Sequence, residues 1–293
     1  MMLTRAAGTL SRAFHRIPGG FLAAKFLKKL AQPRNPEGFT TYRFRGMTFR
    51  VELGTHLGAK LFWRGAHSWP PIFVLQQWIK PGHTCVDLGA NQGEYSLWMS
   101  SLSGPTGEVH SFEPSSKMLE QLRTARELNL PRAQNVIIHP YGLSDVDAQV
   151  ELFLPSAVHQ AGNEGAATVF RTSDTDQSLG RIELKNAGQA LSAATSRRIN
   201  FIKMDIEGSE MKALRGMRGR LEADRPVLLV EVNRHALNLA GSSPKELANF
   251  LIDLNYRLAL VGPRGRLVPY EAEEADAYED VNICALPAVS PAH

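Results

Sequence analysis

Cysteine is scarce in this chain. Cys85 and Cys284 are the two in 293 residues, too few for a disulfide framework or a four-thiolate zinc site. Both lie in apolar, strand-like runs, where a thiol serves as a small buried hydrophobe; a reducing compartment, the cytoplasm, is the expectation. No apolar run approaches the roughly 18 residues of a membrane-spanning helix. Low-complexity tracts and internal repeats are missing too. With 43% hydrophobic and 21% charged residues, wholesale disorder is excluded.

Acid is absent from the first 36 residues, which hold Arg5, Arg12, Arg16, Lys25, Lys28, Lys29 and Arg34. The chain's net charge is +4, so the rest is slightly acidic, and a basic body for gripping nucleic acid is not what this composition describes. Leu22, Phe26, Leu27 and Leu30 recur at helical spacing beside three of those lysines. That pattern suits peripheral contact with an anionic membrane through residues 1–36. A packed or frayed terminal helix with a solvated basic face is the plainer alternative. Lys25 interrupts the apolar stretch, which argues against a secretory signal.

After a break at Pro33 and Pro36, residues 40–53 alternate as two short strands around Gly46. Residues 72–79 read as a helix ending at Pro81-Gly82, and the aromatics of this region read as packing. The expected division is therefore a basic amphipathic segment (1–36), a hairpin with a helical cap (37–79) and a main domain (80–293). From Thr84 onward strands alternate with helices: strands at 84–88, 108–113, 136–141, 199–205, 227–232, 256–261 and 280–286, with helices from Tyr95, Ser115 and Ser209 and after Ser243. This alternation predicts an α/β, doubly wound, mostly parallel sheet. Residues 146–198 are the least legible, with strand-like pieces near 150–154 and 181–184.

Three strand ends carry chemistry. Val86-Asp87-Leu88-Gly89-Ala90-Asn91-Gln92-Gly93 joins a strand to the helix that begins at Tyr95, and such a turn admits a ligand to the backbone at the sheet's carboxyl edge. A nicotinamide enzyme would prefer Gly-x-Gly-x-x-Gly there. Asn91 replaces the second glycine, and Asp87, which would repel a pyrophosphate, suits an amino group or a sulfonium. Glu113, before Pro114, closes the second strand, where an acid accepts hydrogen bonds from a ribose diol. In Lys203-Met204-Asp205-Ile206-Glu207-Gly208, Asp205 stands at the mouth of the cleft. Glu207 lies two residues further on, and Glu231 ends the next strand. Such acids serve as a general base or hold a divalent metal, although Glu207 or Glu210 equally suits the positive end of a helix. His235 is a further candidate base. A nicotinamide-dependent oxidoreductase and a non-catalytic nucleoside-binding scaffold are the competing classes.

Taken together and in order, VDLGANQGEYS, FEP, GLSD, FIKMDIEGSE and VLLVEVN resemble the FkbM family of S-adenosylmethionine-dependent methyltransferases. The resemblance covers about Pro81 to Val232. It implies a class I methyltransferase fold, a seven-stranded sheet with an antiparallel last strand. It also implies O-methylation of a hydroxyl on a sugar, glycan, glycolipid or natural product. Carried across, Asp87, Gly89, Ala90, Asn91, Gly93 and Tyr95 match the methionine side of S-adenosyl-L-methionine, and Glu113 with Pro114 the ribose. Leu143, Ser144 and Asp145 match the adenine side. Asp205, Glu207 and Gly208 match the family's acid motif. The chain departs from the family in one place: a Leu-Asp pair usual before the fourth strand is missing, and Leu184-Lys185-Asn186 is the nearest candidate.

Overall fold

The structure, a computed structural model, describes residues 2–14, 21–32, 38–156 and 167–288. Arg16, Arg34 and the break at Pro33 and Pro36 lie outside the described residues. Two compact units form, one up to Ser68 and the other from Trp69 onward.

In the first unit, helices α1 (Met2–Phe14) and α2 (Phe21–Ala31) precede a hairpin of β1 (Phe39–Phe44) and β2 (Met47–Glu52), then α3 (His56–Arg64). The hairpin alternates as expected, with Tyr42, Phe44, Met47, Phe49 and Val51 buried. The basic leader is not wholly solvated: Arg12 is buried, donates to the Phe62 carbonyl at 2.5 Å and lies 4.3 Å over the Tyr42 ring. Burial lowers the pKa of Arg12, and stacking on aromatics with a bond to a carbonyl offsets part of that desolvation.

The second unit opens with α4 (Trp69–Trp78), then β3 (Thr84–Leu88), α5 (Glu94–Ser103), β4 (Glu108–Phe112), α6 (Ser116–Glu127) and β5 (Val136–His139). Three strands, β6 (Gly142–Ser144), β7 (Ala148–Leu154) and β8 (Gln177–Asn186), make a small separate sheet. There follow α7 (Ala187–Ala194), β9 (Ile199–Met204), α8 (Glu210–Gly216), α9 (Arg218–Asp224) and β10 (Val227–Asn233). The unit ends with α10 (Arg234–Leu239), α11 (Pro244–Asp253), β11 (Tyr256–Val261), β12 (Leu267–Pro269) and β13 (Asp280–Pro287).

The main sheet runs β12-β11-β13-β10-β9-β3-β4-β5. Strand β13 is antiparallel to both of its neighbours, while β10, β9, β3, β4 and β5 are parallel. It has eight strands rather than the expected seven. The addition is β12, a three-residue edge strand that folds back onto β11 after the turn at Gly262–Arg266. Every residue of β3 is buried, as expected of a parallel strand covered on both faces. Apolar residues of β3, β9, β10 and β13 share one core cluster with α7, α8 and α11. Ser243 caps α11, accepting from the Glu246 N–H at 3.1 Å, as the Ser-Pro-Lys-Glu start predicts.

The helix expected from Ser209 to Leu221 is instead two, broken at Met217. Gly216 lies beside the break, and a Cβ there would stand 2.2 Å from the Ser144 carbonyl oxygen, so β6 presses against the helix backbone.

Candidate active site

The strand order reverses between β3 and β9, since β3 is flanked by β4 on one side and β9 on the other. Ligands of open α/β sheets bind beyond the carboxyl ends at such a switch point. Asp87, Glu113 and Asp205 all lie at or just past those ends.

Gly89 makes the junction possible. Its φ is +75°, and a Cβ would lie 1.9 Å from the Asp205 carbonyl oxygen, a contact that no side chain tolerates. The Asp205 N–H donates to the Leu88 carbonyl at 3.1 Å. The glycine loop and the acid motif are thus joined backbone to backbone.

Asp87 has no exposed surface. Its Oδ2 accepts from Ser96 Oγ at 2.6 Å, and Oδ1 stands 3.8 Å from Lys203 Nζ. Burial raises its pKa, against the pull of the lysine. Asp87 therefore acts first on its own loop and on Lys203. Lys203, also buried, donates to the Gly89 carbonyl at 3.2 Å and pairs with Asp205 Oδ2 at 3.4 Å. Tyr95 offers its ring 4.9 Å below the same ammonium.

Glu113 spans two loops. Its carboxylate accepts from the N–H groups of Asn91 and Ser115, both at 2.8 Å, and burial pushes its pKa up to about 7. Asn91 holds the positive φ of 51° that this turn needs. Leu143 and Ser144 are buried in β6, and Ser144 Oγ donates to Asp145 at 3.1 Å. Asn186 donates to the Asp145 carbonyl at 2.6 Å and caps α7.

The acids of the fourth and fifth strand ends come together. The Asp205 side chain keeps 30% of its surface exposed and is hydrogen-bonded to Glu231, whose pKa is raised first by the Asp205 charge and then by burial. Glu207 is raised by burial, then by Asp205, Glu210 and Asp280. At the helix start it is Glu210 that accepts from backbone, from the N–H groups of Ile206 and Gly208, both at 3.0 Å. Glu207 is left with its carboxylate among the other acids, on a backbone with φ +49°. A non-glycine residue in that region costs roughly 1–2 kcal/mol, and such strain clusters at functional sites.

Asp280 was not among the residues singled out from sequence. It pairs in register with Asn233 at the start of β13, so the antiparallel last strand delivers it beside the end of β10. The signal was the acid opening that strand. His235 is exposed on the first turn of α10, and the structure does not join it to the acid group. Among the described residues, no three His, Cys, Asp or Glu side chains form a set placed to hold a metal ion.

Comparison with known proteins gives a match to the methyltransferase FkbM domain over residues 87–258. The chain is similar to hexuronic acid methyltransferase AglP of Haloferax volcanii, 28% identical over 171 residues, which are 56% of this chain and 59% of that protein. It is also similar to Methyltransferase 1 of Beauveria bassiana, 26% identical over 151 residues, 45% of this chain and 57% of that one. The chain thus spans less than two thirds of the length of either relative. A solved methyltransferase FkbM from Methylobacillus flagellatus aligns at 16% identity with a TM-score of 0.44, over 77% of this chain and 52% of that chain. The domain match runs across more than half of the sequence and takes in Asp87, Glu113, Asp205 and Glu231: the chain belongs to the methyltransferase FkbM family.

Proposed function

We propose that this protein transfers a methyl group from S-adenosyl-L-methionine to a hydroxyl of a sugar, glycan, glycolipid or natural product, with residues 80–293 as the methyltransferase domain. One observation carries the reading: Asp205, part-exposed, stands between Lys203 and Glu231 on a loop locked to the glycine turn. An acid-lined crevice suits a cationic ligand and repels a pyrophosphate, which disfavours the nicotinamide alternative.

In this reading the Gly89–Gly93 turn with Asp87 and Tyr95 holds the methionine side, and Glu113 with Pro114 faces the ribose. Leu143, Ser144 and Asp145 flank the adenine. S-adenosylmethionine supplies, when bound, a methyl group on a positively charged sulfonium. An alcohol is a weak nucleophile because it keeps its proton, so the chain must supply a base or a metal. Asp205 takes that proton at its exposed carboxylate. Lys203 orients it, and Glu231, whose pKa the Asp205 charge and burial raise, shares a hydrogen bond with it. Glu207 and Asp280 border the acceptor, and His235 is the reserve base. The name of the archaeal relative, a hexuronic acid methyltransferase, supports a carbohydrate acceptor.

The reading extends to location. No helix among the described residues is long and apolar enough to cross a membrane. Two buried free thiols favour the cytoplasm, and the basic leader favours peripheral contact with an anionic membrane. Calorimetric titration with S-adenosylhomocysteine and, separately, NAD tests the cofactor. Saturable binding of the first alone is expected, and binding of NAD alone overturns the assignment. A gain of one methyl mass on a uronic acid or glycan acceptor tests the reaction.

A further inference from the structure

The first unit carries a half-open pocket of about 780 Å³, within the roughly 300–1,000 Å³ of ligand pockets. Its walls are basic. Lys25, Lys28 and Lys29 reach it from α2 and Gln32 from the residue just past that helix, at the i, i+3, i+4, i+7 spacing of one helix face. His56, Lys60 and Arg64 reach it from α3, four residues apart. None of the described lining residues is acidic. The N-terminal end of α3, capped by Thr55 Oγ1 accepting from the Gly58 N–H at 3.0 Å, adds the positive end of a helix to the wall. The cations feel one another: burial, then Arg64, lowers the pKa of Lys28, and burial, then Lys60, Arg64 and Lys28, lowers that of His56. A fold that gathers five like charges around one space gains from an anion carrying more than one charge, and lysine and arginine are the usual partners of phosphate.

A second feature adjoins the first. Leu22, Phe26 and Leu30, four residues apart on α2, are 73%, 61% and 65% exposed. Their stripe neighbours the lysine stripe around the same helix, and Leu3 and Leu10 of α1 are exposed as well. An apolar ridge beside a cationic pocket is the arrangement of a helix lying in a membrane interface.

We propose that this cavity is a binding site for the phosphomonoester or diphosphate head of a membrane lipid, with the Leu22–Phe26–Leu30 ridge entering the apolar layer beside it. This specifies a lipid-head site, whereas the leader's charge alone would favour any anionic surface.

The test compares vesicles of phosphatidylcholine containing phosphatidic acid, a phosphomonoester, with vesicles containing phosphatidylglycerol, a phosphodiester, at matched surface charge. The full chain should bind the first at least about tenfold more tightly, since a pocket that neutralises several charges reads head-group chemistry and a diffuse basic face does not. Pyrophosphate should compete. Lys28→Ala/Lys60→Ala should abolish the preference with unchanged circular dichroism. Lys25→Gln, on an exposed position, gives a second variant in case the double one misfolds, and should weaken the preference. Equal affinity for the two vesicles, a preference that survives in folded variants, or pyrophosphate binding without any preference for phosphatidic acid would each overturn the lipid-head assignment. Loss of methyl transfer has no bearing on these readouts, so this site and the catalytic assignment stand or fall separately.

Discussion

Asp205 is held by contacts that differ in kind: an ammonium at 3.4 Å, a hydrogen bond to Glu231 and its own backbone against Gly89. Asp205→Asn preserves the shape and removes the charge, so turnover should fall by about 10²–10⁴-fold, the usual range for lost acid–base assistance. Affinity for S-adenosylhomocysteine should change far less. Near-normal turnover in a folded variant would exclude Asp205 as base. Wild-type turnover after exhaustive chelation separates the two roles: persistence fits a base, and loss restored by magnesium fits a metal. Glu210 invites a different measurement. Burial, together with the charge of Asp205, pushes its pKa from 4.5 up to about 7, against the backbone N–H groups of Glu210, Ile206 and Gly208. An acid whose folded pKa is raised binds more protons folded than unfolded, so its contribution is complete below pH 4.5 and is lost as pH rises to about 7. Glu210→Gln should flatten the fall in melting temperature over that window, and an unchanged slope would refute this origin. At this scale the sequence announced Asp87, Glu113 and Asp205 through their places at strand ends. It did not announce that Asp87 would be sealed from solvent, because burial depends on which residues of α5 and β9 face it. Asp280 was hidden for a similar reason, as its partner across the strands, Asn233, is 47 residues away in the chain.

Among the elements, the parallel strands were legible because strands buried on both faces are written as apolar runs. Strand β8 was legible only in part. Its first five residues are exposed and Ile182 alone is buried among ten, which leaves no alternation to detect. Helix α7 went unread although Asn186, its cap, precedes Ala187, Ala190 and Leu191 at helical spacing; at eight residues it is too short to outweigh the surrounding glycine and polar residues. The close approach at Gly216 was invisible for another reason, since it involves a carbonyl on a distant strand. The turn after β3 offers the sharpest test at this scale. Gly89→Ala must accept a positive φ and a clash with the Asp205 carbonyl, whereas Gly241→Ala has a similar φ of +74° and nothing within 4 Å. Both should lose the roughly 1–2 kcal/mol of left-handed strain. The first should lose more, along with affinity for S-adenosylhomocysteine, in paired melting and calorimetric measurements. Equal losses would deny the close approach any importance.

At the scale of the whole molecule, charge is divided unevenly along the chain. Residues 1–36 hold seven basic side chains and no acid. Anionic vesicles should therefore retain the full chain and release it as salt rises, because exposed charges farther apart than about 8–10 Å are screened at physiological ionic strength. A chain beginning at Glu37 should sediment poorly under all conditions. Equal sedimentation of the two would remove the leader from any role in attachment. The doubly wound architecture was readable because its strands and helices alternate over two hundred residues. The grouping of α4 with the second unit was not, since a short helix between two breaks carries no mark of the unit it joins.

The contact between Gly89 and Asp205 has a thermodynamic consequence. Two ligands that each order one of these loops cannot be independent, because the backbone of one loop is the wall of the other. Whatever factor the nucleoside product gains in affinity from a bound acceptor, the acceptor must gain from the nucleoside, as linkage requires. Calorimetry of each ligand with the other at saturation should return the same factor twice, and a value above one would make acceptor capture a report on whether the cofactor loop is already in place.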